Sequence, residues 1–236
     1  MMREIKVNRH IISFIDILGS SKAIATDSQS SLEIIHSAYE SALKGFNSLF
    51  GNEKIKPAVK IFSDNIVVAV PCPQGFEKPC FLAVAMMSGV IQVEFLKRNY
   101  LTRGGITIGD YFCDDVMVWG NALVRAHYIE EEIAIYPRVI IDPNLIGELK
   151  LAIEEDSTHC KEWIRQDKDM LFYVDYLNKC LQNAWMLCLG MLDISDIEIG
   201  EEINNVKACQ KWLWLKSYLH EKLPETLEEG VEKPHA

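Results

Sequence analysis

Basic residues are in short supply. The 236-residue chain carries 24 Lys and Arg against 34 Asp and Glu, a formal net charge of -10. Such a surface argues against nucleic-acid binding by phosphate neutralisation. A small anionic substrate stays open, because a bound divalent cation reverses the local field. Paired cysteine motifs are also missing. The seven cysteines, Cys72, Cys80, Cys113, Cys160, Cys180, Cys188 and Cys209, are odd in number and include no Cys-x-x-Cys. That argues against a zinc cluster or disulfide framework and points to a reducing cytosol. The six histidines form no metal-ligand spacing. No long apolar stretch of signal-peptide type opens the chain. The most apolar run, Phe81 to Val93, is shorter than the ~20 residues of a membrane span and reads as a buried helix. We expect a cytoplasmic protein without a membrane span. No internal repeat is visible. What is present is ordinary for a globular chain, 49% hydrophobic and 25% charged, and long enough for one domain with an appendage.

The periodicity predicts alternating strands and helices. Ile11 to Ile17 is an apolar run broken by Asp16 and ending at Gly19-Ser20-Ser21, a central strand entering a loop. A helix is predicted over 31–50, capped by Ser30 or Ser31 with Glu33 in its first turn. Ala58–Phe62 and Ile66–Val70 flank Ser63-Asp64-Asn65 as a hairpin. A long helix over 81–100 follows, then a strand over 103–109 with 110–118 as its hairpin partner, Asp114-Asp115 turning between them. A helix is predicted from Trp119-Gly120-Asn121 to Ile133, a strand over 137–141, and a helix opened by Asp142 and Pro143. One more strand is predicted over 171–177, helices over 178–190 and 198–222, and a frayed acidic tail over 225–236. This order, β-α-β-β-α-β with extra strands, is an α+β pattern related to the ferredoxin-like unit. The expected domains are 1–177 and a C-terminal helical extension, 178–236.

Two aspartates carry the chemistry. Asp16 interrupts a strand and Asp64 sits at a hairpin tip. If the strands are neighbours, the carboxylates converge at one end of the sheet, where they repel unless a cation lies between them. Mg²⁺ or Mn²⁺ suits such a pair. The plainer reading of each is a turn former or helix cap.

Phe14-Ile15-Asp16-Ile17-Leu18-Gly19 resembles the Phe-x-Asp-Ile-x-Gly strand of the class III nucleotide cyclases. Lys60-Ile61-Phe62-Ser63-Asp64 resembles their Lys-x-x-Gly-Asp hairpin, and Arg103-Gly104-Gly105-Ile106 with Gly109 their Arg-x-Gly-Ile-x-x-Gly strand. Trp119-Gly120-Asn121 with Ala126 resembles the start of their dimer-interface helix. The four motifs keep their order over about residues 10–142. Gly120-x-Ala122-Leu123-x-x-Ala126-x-x-x-Glu130, Ala134-x-Tyr136-Pro137-Arg138-Val139-Ile140 and Phe172-x-Val174-Asp175-Tyr176-Leu177 resemble the short bacterial cyclases of the Pycsar antiphage systems. Those make cyclic UMP or cyclic CMP, which activates a separate effector.

The resemblance implies a class III cyclase catalytic domain holding two divalent cations, Mn²⁺ or Mg²⁺, on Asp16, Asp64 and the Ile17 carbonyl. The ribose 3′-hydroxyl then attacks the α-phosphorus in line and pyrophosphate leaves. It places the amides of Leu18, Gly19 and Ser20 near the terminal phosphates. It makes Lys60, Met117, Asn121 and Tyr128 substrate contacts, and implies a twofold homodimer whose sites draw on both chains. The chain departs from the purine cyclases at Val124 and Tyr128, where they carry Asn and Arg, and at Met117, where they carry a base-reading Asp. Lys60 keeps the position of the base-reading Lys. The missing cation is sought in Arg103 or Arg125; the alternative for Arg125 is a surface pair with Glu132. Lys60 also reads as an ordinary exposed lysine, Tyr128 as interface filling, and His127 as packing. Glu130-Glu131-Glu132 reads as a solvated run, and Trp212 and Trp214 as anchors of the last helix.

Four functions follow from these readings: a UTP cyclase, a CTP cyclase, an adenylyl cyclase supported by Lys60, and an inactive cyclase-like module motivated by Val124 and Tyr128. UTP is the preferred substrate.

Overall fold

The computed structural model describes residues 6–50, 55, 57–149, 159–178 and 184–223. The expected frayed tail over 225–236, the start of the expected helix at 178, and Cys180 lie outside the described residues or at their edge. The chain divides into two compact units, 1–134 with 138–176 and 135–137 with 177–236.

The first unit is α+β. β1 (Asn8–Ile17) is central. It pairs antiparallel with β3 (Asn65–Pro71) on one side and with β4 (Thr102–Cys113) on the other. β2 (Ala58–Phe62) extends the sheet beyond β3. β6 (Val139–Ile141) joins β4 in parallel, then β8 (Phe172–Val174) and β7 (Ile164–Gln166) complete the order β2-β3-β1-β4-β6-β8-β7. The order β2-β3-β1-β4, all antiparallel, is the split arrangement that the β-α-β-β-α-β pattern predicts.

β1 is buried on both faces because helices cover both. Ile12 and Phe14 join Val67, Ala69, Tyr111, Ala122 and Ala126 in one cluster under α4 (Asn121–Tyr128). The opposite face carries α3 (Glu77–Leu96), with α2 (Ser28–Phe50) packed on it. α3 is long and apolar enough to span a membrane by length and composition, but 83% of its most apolar stretch is buried within the protein. The expected buried helix is therefore present, one turn earlier than predicted. Asn99 ends it in the left-handed conformation (φ 63°), with the Tyr100 N–H returning to the Phe95 carbonyl.

Several boundaries differ from expectation. A short helix, α1 (Ser20–Thr26), precedes α2, and Asp27 rather than Ser30 or Ser31 caps α2 by accepting the Ser30 N–H at 3.0 Å. Glu33 lies beyond the first turn of α2. Residues 110–113 continue β4 instead of forming its partner, because Tyr111 still packs in the cluster under α4. The return strand is only β5 (Val118–Trp119), after a turn in which Asp114 accepts the N–H groups of Val116 and Met117. α4 ends in a π-helical turn (Ile129–Ile133). α5 (Pro143–Leu149) follows β6. β7 was not foreseen; its three residues show no alternation to read.

The second unit holds α6 (Ala184–Glu201) and α7 (Val206–His220). The helix predicted to break at 190 runs on to 201, and the turn comes at 202–205, where Asn205 caps α7 by accepting the Ala208 N–H. Trp212 is buried there, and Trp214 stacks between Tyr136 and Tyr218.

Candidate active site

The site begins where β1 ends. Antiparallel register sets Asp16 opposite Asn65 of β3 and Arg103 of β4. Asp64, in the β2–β3 turn next to Asn65, thus comes opposite Ile17, and its carbonyl accepts the Ile17 N–H at 3.2 Å. Ser63 makes the turn by adopting φ 57°, a conformation uncommon outside glycine.

Asp64 is well held. The buried Ser20 hydroxyl donates to Oδ2 at 2.5 Å and the Asn65 side-chain amide to Oδ1 at 3.3 Å. Burial pushes its pKa up, but the hydroxyls of Ser20 and Ser63 and its own N–H more than offset this, leaving the carboxyl below its ordinary value. It is a carboxylate at neutral pH.

Arg103 lies between two acids. Its Nη2 is 2.7 Å from Glu130 Oε1, and its Nε is 3.7 Å from Asp16 Oδ2. Glu130 is 3% exposed, which corrects the expectation of a solvated Glu130-Glu131-Glu132 run; Glu131 and Glu132 are exposed. The π-helical turn is the cause. Its wider coil buries both Ile129 and Glu130, with Ile129 over Gly105, where an added methyl would lie 2.6 Å from the Ala126 carbonyl and from Ile129 Cβ. Burial raises the Glu130 pKa, Arg103 pulls it down, Asp16 pushes it up, and the net result is upward. His127 completes the group: its Nδ1 is 3.2 Å from Glu130 Oε2 and its ring stacks on Phe14 at 5.0 Å.

Other expected site residues are engaged elsewhere. The Leu18 N–H donates to the Leu101 carbonyl at 2.8 Å, which takes that amide away from a phosphate. Gly19 adopts φ 79°, with nothing within 4 Å of where a Cβ would stand. The Asn121 side chain accepts the Asp110 N–H at 2.8 Å, tying α4 to β4. Arg125 pairs not with Glu132 but with Asp142, through Nε at 2.8 Å and Nη2 at 3.1 Å. That contact sits beside Thr107, four β4 residues and so roughly 13 Å along from Arg103. Arg125 also lies over the Tyr128 ring, 5.4 Å from its centroid. Lys60 Nζ is 3.9 Å from the exposed Asp115, which brings β2 to the turn that carries Met117. Met117, Val124 and Tyr128 are all exposed.

Sequence reading missed three participants: Ser20 as a donor to Asp64, Glu130 as a buried acid, and Asp142 as the partner of Arg125. Asp142 is 1% exposed and also caps α5 by accepting the Asn144 N–H. Burial raises its pKa, and the Arg125 and Thr107 hydrogen bonds outweigh this and lower it from 3.8. We therefore expect Asp142→Asn to destabilise the fold at pH 7 by about 3 kcal/mol. A lowered folded pKa stabilises above the unfolded value and is lost as pH falls through the folded one. The gap between wild type and variant in urea unfolding should therefore close as pH drops below 3.8. A gap that widens on acidification would refute the pairing.

Among the described residues, no three His, Cys, Asp or Glu side chains are grouped to hold a metal. Two carboxylates without a cage fit Mg²⁺ or Mn²⁺, which keep waters and take substrate phosphate oxygens. None of the six described cysteines forms a disulfide.

No protein-family model matches the chain. No curated protein matches it by sequence either. Similar solved structures include cyclase domains. The monomeric guanylyl cyclase domain of the RhoGC fusion protein from the aquatic fungus Blastocladiella emersonii is 13% identical with a TM-score of 0.45, over 72% of this chain and 96% of that one. A bacterial light-regulated adenylyl cyclase is 13% identical with a TM-score of 0.46, over 92% of this chain and 60% of that one. The adenylate/guanylate cyclase/hydrolase from Silicibacter pomeroyi is 17% identical with a TM-score of 0.41, over 72% and 95%.

Proposed function

We propose that this chain is a metal-dependent nucleotide cyclase that converts UTP to 3′,5′-cyclic UMP and pyrophosphate. One observation carries the reading: Asp16, at the end of β1, and Asp64, in the turn that opens the neighbouring β3, stand at one sheet end, with Asp64 kept ionised by Ser20 and Ser63. Two divalent cations, Mn²⁺ or Mg²⁺, would there lower the pKa of the ribose 3′-hydroxyl and neutralise the triphosphate. Asp16 and Asp64 supply hard oxygen donors, with the Ile17 carbonyl as a third. The open backbone at Gly19 allows phosphates to approach closely. Holding the 3′-oxygen in line with the α-phosphorus, so that its new bond forms as the bond to pyrophosphate breaks, is the remaining work of the fold.

Base choice falls to the patch where Lys60 meets the Met117 turn, and to Tyr128. Met117 offers no acceptor to an adenine amino group, which favours a pyrimidine. Lys60 is the feature that favours an adenylyl cyclase instead. CTP differs from UTP at one base-edge group. Val116, Met117, Trp119, Val124 and Tyr128 expose large apolar surface on one stretch of chain, which suits an interface with a second copy. We place catalysis in 1–177, with 178–236 as an appended helical element. By the same resemblance, the cytoplasmic product would act through a separate cyclic-nucleotide-sensing effector in antiphage defence.

The test is to incubate the full chain with Mn²⁺ and, separately, ATP, GTP, CTP or UTP, to identify products by mass spectrometry, and to measure particle mass in solution. Cyclic UMP from a dimer is the expected result. Cyclic CMP or cyclic AMP would move the base assignment. Stabilisation by a nucleotide without turnover would replace the enzyme by a binding module.

A further inference from the structure

We infer that Glu130 is a positioning residue: it holds the Arg103 guanidinium off Asp16 and so keeps that carboxylate able to take a divalent cation. The inference rests on the proposed metal site. Register places Arg103 directly across from Asp16. A guanidinium there would ordinarily close on the carboxylate with two short hydrogen bonds. Here the closer ion pair is with Glu130, at 2.7 Å, and the one with Asp16 is looser, at 3.7 Å, with no hydrogen bond. Arg103 Nε and Glu130 Oε1 are both buried without a hydrogen bond, so ion pairing alone holds the guanidinium, and its Nε is within ion-pair range of Asp16 but beyond hydrogen-bond reach. The shorter ion pair with Glu130 is what draws the guanidinium away from Asp16. Glu130 competes well because it is held from behind: His127 bonds its other oxygen, and His127 is itself stacked on Phe14. Loss of the Glu130 charge would let Arg103 close on Asp16 and neutralise it.

The experiment is titration of the full-length protein with Mn²⁺ alone, following free Mn²⁺ by electron paramagnetic resonance and folding by circular dichroism. Asp16→Asn should abolish the site. Glu130→Gln, of the same shape, should raise the Mn²⁺ Kd about tenfold, the usual effect of losing a group that orients a metal ligand. The double variant Arg103→Gln with Glu130→Gln should return to within about threefold of wild type, because the competitor for Asp16 is gone. A merely structural Glu130 would leave the double variant as weak as the single one, and that result overturns the inference, as does an unchanged Kd in Glu130→Gln. Should the single variant fail to fold, the double variant decides: wild-type affinity supports the inference and a tenfold loss rejects it. If Asp16→Asn binds Mn²⁺ like wild type, the metal site itself is wrong and both readings fall.

Discussion

Replacing Asp16 or Asp64 by asparagine is expected to cut cyclic-nucleotide formation about 10³-fold, roughly 4 kcal/mol of barrier. Each change keeps size and shape and removes one negative charge. At Asp64 the Ser20 hydroxyl can still donate to the amide oxygen, so the β2–β3 turn should hold. At Asp16 the nearby Arg103 keeps its pairing with Glu130, so the sheet end should also hold. The loss should therefore appear in turnover, read by mass spectrometry under saturating Mn²⁺, while the thermal midpoint stays near that of wild type. Activity within tenfold of wild type in either variant would sink the two-carboxylate mechanism. Loss of activity together with a collapsed midpoint would mean that the carboxylates hold the fold instead.

Gly120→Ala should be the most damaging small change to the fold. Gly120 adopts φ 139° and ψ 162°, a region that only glycine occupies without strain. An added methyl would run into the carbonyl of Asp110 and lie 2.8 Å from Tyr111 Cα. Neither is a flexible side chain that can swing away. Strain and overlap together should cost about 4 kcal/mol. That would lower the midpoint of the first unit by roughly 8–16 °C in calorimetry. The consequence reaches the site, since Gly120 launches α4 and sets Asn121 against the Asp110 N–H. Gly147→Ala, at an exposed position of α5 with nothing within 4 Å of its added methyl, should be neutral or stabilising by up to about 1 kcal/mol. Equal effects at both positions would refute the strain account.

Much of this architecture is written locally. The β-branched runs of β1 and β3, the turn residues 63–65 and the apolar run of α3 each bias their own backbone within a few residues, and the resulting order of elements is that of the α+β fold observed. Helix ends were less legible. Asn99 stops α3 by turning left-handed and Asp27 starts α2 through one side-chain hydrogen bond, roles that neighbouring serines and asparagines imitate equally well in sequence. That Asp16 breaks an apolar strand is visible in the sequence. Its position opposite Arg103 and Asn65 is not, because register depends on residues more than 40 positions away. Glu130 shows the limit most sharply. Three consecutive glutamates look alike in sequence, and only the π-helical turn packed against Gly105 turns one of them inward while leaving two in water. Arg125 faces the same ambiguity: Glu132 is near it in sequence, whereas Asp142 reaches it only because β6 lies beside β4. Periodicity and turn chemistry, which act over a few residues, were thus settled by the sequence itself. The pairing of charges was decided by tertiary structure, because a buried ion takes the partner that folding brings within about 3–4 Å, whatever its distance along the chain.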